Sequence, residues 1–162
     1  MRTIQKRRKQ HKTDYLKRLN LLKSGIPRII FRKTNKYVIS QYVESREAKD
    51  KILIGLNSKE LLKYGWPKEA TGSLKSLPAS YLTGYLIGKK ILNQKLKQPI
   101  LDVGMIRTLY KNKVYAFLKG LIDSGIEINC KEEAFPEESR IKGEHMKEKI
   151  PFDKIKSRID KE

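Results

Sequence analysis

Hydrophobic and polar positions alternate along three stretches in the first third of the chain, a pattern typical of β-strands. In the first stretch Ile29 and Phe31 fall on one face, while Arg28, Ile30 and Arg32 fall on the other. We therefore expect Ile29 and Phe31 to contact the core. The two arginines are expected to project from the opposite face and to bind a ligand there.

Two more strands are predicted after the first. A turn at Thr34-Asn35 joins the first two strands, because asparagine tolerates the positive φ angles of tight turns. The second strand covers residues 37–43, and the third covers residues 51–56, where three alternate apolar side chains should face the same way. The three strands together predict an antiparallel meander.

Further along the chain the apolar residues follow helical spacing. Leucines at helical spacing come after Thr13 and Asp14, each a plausible N-cap, and Gly25 should end this short helix. A long helix is predicted over residues 78–96, and its small residues should let it lie close to a sheet. A second long helix is predicted over residues 112–125, with glycine as its C-terminal stop.

Strands at 99–103 and 126–130 complete the pattern β-β-β-α-β-α-β. This pattern predicts an α/β fold with a ribonuclease-H-like mixed five-stranded sheet, in the order 3-2-1-4-5, and packed helices. We expect a basic arm with a short helix at 1–25, the α/β core at 26–130 and a charged extension at 131–162. The extension should lie along the body or along a partner, with a short amphipathic helix in it.

Positive charge is concentrated near the N-terminus. The chain carries 37 Lys and Arg against 18 Asp and Glu, and residues 1–36 hold thirteen of the basic residues with one acid. This imbalance indicates a polyanionic partner, and the arm should bind phosphates. A solubilising tail or a localisation signal is the alternative. The sequence predicts neither a membrane-spanning helix nor a secretory signal, which favours the cytosol.

Enzymatic chemistry has little support in the sequence. Nucleases with this strand order need several carboxylates around divalent metals, whereas the sheet candidates here are only Asp50 and Asp102. The single cysteine, Cys130, and the two distant histidines, His11 and His145, offer no zinc spacing. We expect no catalytic residue, no metal and no cofactor; a metal-dependent nuclease is the alternative.

Aromatic side chains near the basic positions suggest a second kind of contact. Tyr15 and Tyr37 could stack on exposed bases. Trp66 could do the same, or it could pack beneath the turn-rich connection at 65–77.

Five segments of the chain resemble one known family. They are KTDYLKRLNLLKSGIPRIIFRKTNKYVISQ at 12–41, GWPKEATGSLKSLPASYLTGYLIGKK at 65–90, ILDVGM at 100–105, AFLKGLIDSGIEI at 116–128 and PEESRIKGEHM at 136–146. The family is the universal large-subunit ribosomal protein family that binds 5S ribosomal RNA, called L-eighteen in bacteria and archaea and L-five in eukaryotes. The last segment resembles a motif of the archaeal and eukaryotic branch, and the length of 162 residues suggests an archaeal-type member.

The resemblance implies a structural protein in the cytoplasm, in the large (50S) ribosomal subunit. Family members bind 5S rRNA and help attach it to 23S rRNA in the central protuberance, beside neighbouring ribosomal proteins. They adopt the ribonuclease-H-like fold without its catalytic carboxylates, and no membrane or small-molecule substrate is implied. The RNA-binding residues expected from the matching motifs are Lys12, Thr13, Tyr15, Arg18, Arg28, Arg32, Lys33, Thr34, Asn35, Thr71, Gly72, Arg140 and His145; the basic arm adds Arg7, Arg8, Lys9 and His11.

A basic arm of this kind would also suit a DNA-binding protein of the chromatin type. That alternative predicts comparable affinity for duplex DNA and for 5S rRNA.

Overall fold

A mixed four-stranded sheet forms the centre of the molecule. The computed structural model describes residues 6–47, 49–146 and 148–161. The strands are β1 (Arg28–Lys33), β2 (Val38–Arg46), β3 (Lys49–Asn57) and β4 (Ile100–Asp102). Their order is β3-β2-β1-β4; β1 pairs antiparallel with β2 and parallel with β4. The antiparallel meander and the parallel crossover are therefore both present.

The prediction of a fifth strand at 126–130 is wrong. Within the described residues this segment joins no ladder of the sheet. The neighbouring strand β4 offers only three residues as a pairing edge. The segment is held in another way, because Ile126 is buried and the backbone N–H of Glu127 donates to the side-chain oxygen of Gln98 at 3.3 Å.

The two long helices and the short helix before Gly25 begin and end close to the predicted positions, while the helices Lys6–Lys9 and Glu138–Lys142 were not predicted. They are α1 (Lys6–Lys9), α2 (Tyr15–Lys23), α3 (Leu77–Asn93), α4 (Lys113–Ser124), α5 (Glu138–Lys142) and α6 (Phe152–Ile159). Short 3-10 helices cover Ser58–Tyr64, Glu69–Ser73 and Glu132–Ala134. Asp14 caps α2 by accepting from the backbone N–H of Lys17, and Gly125 ends α4 at a φ of 108°. None of the described helices is long and apolar enough to span a membrane.

The small residues of α3 have a different role from the one predicted. A Cβ atom at Gly84 would overlap the carbonyl oxygen of Phe117 in α4, and a Cβ atom at Gly120 would overlap the carbonyl oxygen of Tyr81 in α3. These glycines therefore let α3 approach α4, whereas the sequence predicted a close approach to the sheet. The two helices cross so closely because each has a glycine where the other's backbone passes.

The core lies between one face of the sheet and the α3–α4 pair. Ile29 and Phe31 are buried there, as predicted, and the Phe31 ring lies 4.9 Å from the Phe117 ring between centroids. The prediction for β3 is wrong in one respect. Ile54 faces the core, but Ile52 is 52% exposed. A register irregularity between β2 and β3 at Tyr42/Val43 separates the two positions.

The end of the C-terminal extension packs on α3, and the amphipathic helix predicted there is confirmed. The apolar side chains of α6 are buried. The hydroxyl of Tyr85 donates to the Asp160 carboxylate at 2.5 Å, while the Lys156 ammonium lies over the rings of Tyr81 and Tyr85. Burial and the neighbouring Asp160 raise the pKa of the Tyr85 hydroxyl, so it remains a hydrogen-bond donor. Residues 152–159 thus lie along the body.

Candidate nucleic-acid interface

Helix α2 lies over the face of the sheet opposite α3 and α4 and is held there by polar contacts. The Arg18 guanidinium pairs with the Asp50 carboxylate at 2.9 Å, and the Lys17 ammonium donates to the Gly104 carbonyl at 3.4 Å. No side chain of α2 is buried, and Leu16 is 70% exposed. The leucines whose spacing predicted this helix therefore lie outside the buried core.

A cleft of about 700 Å³ separates α2 from the loop that follows β4. Its cationic lining comes from both the N-terminal segment and the sheet. The lining residues are Lys12, Thr13, Asp14, Tyr15, Lys17, Arg18, Leu21, Arg32, Asp102, Val103, Gly104, Met105 and Ile106. Four of these side chains are cationic and two are acidic, so the cleft favours an anion.

A buried ion network forms the floor beside this cleft. The Arg28 guanidinium is 1% exposed and contacts the Asp102 carboxylate at 3.3 Å and the Asp50 carboxylate at 2.8 Å. It also donates to the Ser45 hydroxyl at 2.8 Å. The prediction of an exposed, RNA-facing Arg28 is therefore wrong. Strand β1 lies inside the sheet, and acids from β3 and β4 reach its outer face at this position.

The sequence predicted that Arg28 and Arg32 would both project from the sheet to bind a ligand. Only Arg32 lines the cleft. Its guanidinium donates to the backbone carbonyl of Asp102 at 2.8 Å and pairs with the carboxylate of that residue at 3.2 Å. The side chain is nevertheless 40% exposed. Gly104 follows with a φ of +62°, and a Cβ atom there would lie 2.9 Å from the guanidinium carbon of Arg32. The positive φ angle therefore favours glycine at this position, whereas the end of the Arg32 side chain could shift to make room.

Asp50 and Asp102, the two acids of the floor, are both paired with arginines. Burial acts to raise the pKa of the Asp50 carboxyl, but hydrogen bonds from Ser45 and Arg18 and the charge of Arg28 outweigh burial and hold that pKa below its ordinary value. Asp50 is thus an anion bound by arginines, and Asp102 is bound by Arg28 and Arg32. Among the described residues, no three His, Cys, Asp or Glu side chains lie close enough together to hold a metal ion.

The cleft brings together five of the residues expected from the sequence to bind RNA. These five are Lys12, Thr13, Tyr15, Arg18 and Arg32. Others are exposed but lie outside the cleft lining: Lys9, His11, Lys33, Asn35, Thr71, Gly72, Arg140 and His145. The side chains of Arg7 and Arg8 lie outside the described residues.

Thr34 shapes the backbone of the predicted turn between β1 and β2. Its hydroxyl donates to the carbonyl of Tyr37 at 2.9 Å and accepts from the N–H of the same residue at 2.9 Å. The turn predicted at this position is therefore present, but Asn35 does not adopt the positive φ angle on which the prediction relied.

Some residues of the cleft were not singled out in the sequence. Lys17 and the loop residues Gly104 and Met105 line it. The signals for the loop were its place directly after a parallel strand, where α/β folds collect ligands, and its inclusion in the resembling segment at 100–105. Trp66, in contrast, is buried, and its indole N–H donates to the Ala70 carbonyl at 3.0 Å. It packs beneath the connection and is not available for base stacking.

Comparison with known proteins gives consistent matches over most of the chain. The family model described as ribosomal large subunit proteins 60S L5 and 50S L18 matches residues 1–99. The large ribosomal subunit protein uL18 of Korarchaeum cryptofilum is 43% identical over 141 residues, which cover 87% of this chain and 70% of the relative. The protein of the same name from Methanoculleus marisnigri is 42% identical over 146 residues, covering 90% and 81%. That from Methanosphaera stadtmanae is 41% identical over 141 residues, covering 87% and 71%.

Proposed function

Because the chain belongs to the family of ribosomal large subunit proteins 60S L5 and 50S L18, we propose that it binds 5S rRNA and helps attach it to 23S rRNA in the central protuberance. Its relatives are structural proteins of the large ribosomal subunit, which are not enzymes, and the chain is of the archaeal type. It has its place in that subunit in the cytoplasm. Neighbouring ribosomal proteins are the other proposed partners.

The observation that carries this proposal is the excess of cationic over acidic side chains in the cleft. Lys12, Lys17, Arg18 and Arg32 supply four cationic groups. The opposing Asp102 carboxylate is bound by two arginines. With the buried Arg28 and the three carboxylates of Asp14, Asp50 and Asp102 included, the cleft and its floor keep a net charge of +2, which favours an external anion. Guanidinium groups can hold phosphate oxygens through two N–H donors at once.

The other side chains of the cleft suit single-stranded or irregular RNA. The major groove of A-form RNA is too narrow for side chains, so proteins recognise phosphates, shape and unstacked bases. Tyr15 is half-buried in the wall of the cleft, and Met105 is exposed at its rim. An unstacked base can stack on the Tyr15 ring while the cations hold its flanking phosphates.

We propose the exposed residues outside the cleft as further RNA contacts. They lie on the basic arm, on the β1–β2 turn, on the 3-10 helix Glu69–Ser73 and near α5. We also propose that the sheet is a ribonuclease-H-like arrangement. The order β3-β2-β1-β4 and the two helices on one face support it, although a fifth strand is not formed by the described residues.

The double variant Lys12→Gln/Lys17→Gln tests this function. Both side chains are exposed, so the fold should survive, while 5S rRNA affinity should fall by about tenfold or more because two charged contacts are lost. A filter-binding titration at fixed salt measures the affinity, and circular dichroism checks the fold.

The matched control is Lys154→Gln/Lys161→Gln, which removes the same charge at and beyond α6, on the other side of the sheet from α2. It should bind 5S rRNA within about twofold of the unmodified protein, since only long-range charge is altered. Equal losses in the two variants would contradict a binding role for the cleft and would indicate a general charge effect.

A further inference from the structure

The guanidinium group of Arg32 is held at one end by oxygen atoms of the protein. Its Nη1 atom donates to the backbone carbonyls of Phe31 and Asp102, each at 2.8 Å, and its Nη2 atom donates to the Asp102 carboxylate at 3.2 Å. These three bonds use three of the five N–H groups that an arginine side chain offers. The plane of the group is therefore set before any ligand binds.

The Asp102 side chain that orients Arg32 is itself restrained. It is 8% exposed, and its Oδ2 atom accepts from the buried Arg28 guanidinium at 3.3 Å. Its Oδ1 atom, which Arg32 contacts, also accepts from the backbone N–H of Gly104 at 2.8 Å. Two further donors thus fix the carboxylate against which Arg32 is held.

Two N–H groups of Arg32 remain, one on Nε and the second one on Nη2. Neither donates to any residue that the structure describes. Nε and Nη2 share one edge of the planar group, so their N–H groups point the same way and can hold two adjacent acceptors at once. We call this pair of donors the Arg32 fork. Arg32 lines the cleft and its side chain is 40% exposed, so the fork is open to a ligand there.

The charges around the fork favour the edge of a base over a phosphate. The Asp102 carboxylate offsets part of the charge of Arg32, which weakens attraction to a phosphate but leaves the direction of the N–H groups unchanged. Lys12 and Lys17, in the same cleft, pair with no carboxylate that the structure describes and are the better partners for phosphates. On the edge that base pairing leaves free, guanine alone carries two acceptors side by side, O6 and N7, and arginine is their commonest partner.

We propose that the Arg32 fork binds the O6 and N7 atoms of one guanine of 5S rRNA, so that Arg32 determines which base the cleft accepts. The inference rests on the proposed function and deepens it by naming the base that the cleft reads. The guanine lies in a loop, a bulge or an end of the RNA, because the major groove of an A-form helix is too narrow for side chains. Tyr15 offers a ring in the same cleft on which this base can stack.

Replacing N7 of guanine with a C–H group tests the proposal. 5S rRNA transcribed with 7-deazaguanosine keeps its Watson–Crick pairs but loses the N7 acceptor, so the unmodified protein should bind it about tenfold more weakly than ordinary 5S rRNA in a filter-binding titration. Arg32→Lys keeps the charge but cannot span two acceptors, and Arg32→Met has no donor, so each variant should bind the two RNAs equally well. Arg18→Lys makes the same exchange elsewhere in the cleft and, as the matched control, should retain the difference.

The comparison of the two RNAs separates a contact with guanine from other effects. Equal losses for the unmodified protein and the Arg32 variants would show that N7 acts through the fold of the RNA, and would overturn the guanine contact. Equal binding of both RNAs by the unmodified protein would also overturn it and would leave Arg32 a phosphate contact. Loss of the difference in Arg18→Lys would overturn the assignment to Arg32. Failure of the unmodified protein to bind ordinary 5S rRNA would instead overturn the proposed function.

Discussion

Replacing Arg28 with methionine should lower the free energy of unfolding by about 3–5 kcal/mol, because it removes the cation that the buried Asp102 carboxylate shares with the partly exposed Asp50. The guanidinium is almost fully buried and contacts Asp50 and Asp102 at 2.8 and 3.3 Å. Methionine fills similar space but offers no charge, so the Asp102 carboxylate would keep only the partly exposed Arg32 as a cationic partner, beside a hydrogen bond from the Gly104 backbone N–H. Chemical denaturation of the free protein measures the loss.

Arg18→Met is the matched control for this experiment. Arg18 pairs with Asp50 from a partly exposed position, so its removal should cost about 1 kcal/mol of stability or less. Because Arg18 lines the cleft, that variant should instead lose affinity for 5S rRNA. If Arg28→Met melted like the unmodified protein and lost only RNA affinity, Arg28 would face the RNA and the structure of the floor would be wrong.

Raising the salt concentration from 50 to 200 mM should weaken binding to 5S rRNA by about 10³-fold or more. Each phosphate that a lysine or arginine neutralises releases counterions, and a protein with roughly six to ten such contacts shows a loss of this size. The four cations of the cleft, together with the exposed Lys9, Lys33 and Arg140 proposed as further contacts, fall within this range. Filter binding at several salt concentrations gives the slope, and a slope near zero would contradict an electrostatic interface.

The parts of the fold that depend on local pattern were predictable from the sequence. The burial of Ile29 and Phe31 follows from the alternation of side-chain direction along a strand, and the end of α4 follows from Gly125. The predicted short helix is also present, with Asp14 as its cap. In each case the signal lies within a few residues of the feature that it predicts.

The parts that depend on distant residues were not predictable. Arg28 is buried because Asp50 and Asp102, which lie 22 and 74 positions away in sequence, reach the same face of the sheet. Alternation alone assigned Arg28 and Arg32 the same role. Similarly, nothing near Gly84 indicates that a second helix, and not the sheet, would pack against it. The cleft combines α2 with a loop after β4, and only the tertiary structure brings them together.

Competition between 5S rRNA and duplex DNA of equal length tests the central claim most directly. Both polymers carry a dense phosphate charge, so a merely basic protein would bind them alike at 150 mM salt. A cleft suited to unstacked bases and the shape of folded RNA should favour 5S rRNA by at least about tenfold, and excess duplex DNA should fail to displace it. Equal affinities for the two polymers would contradict the account and would favour a general nucleic-acid-binding protein.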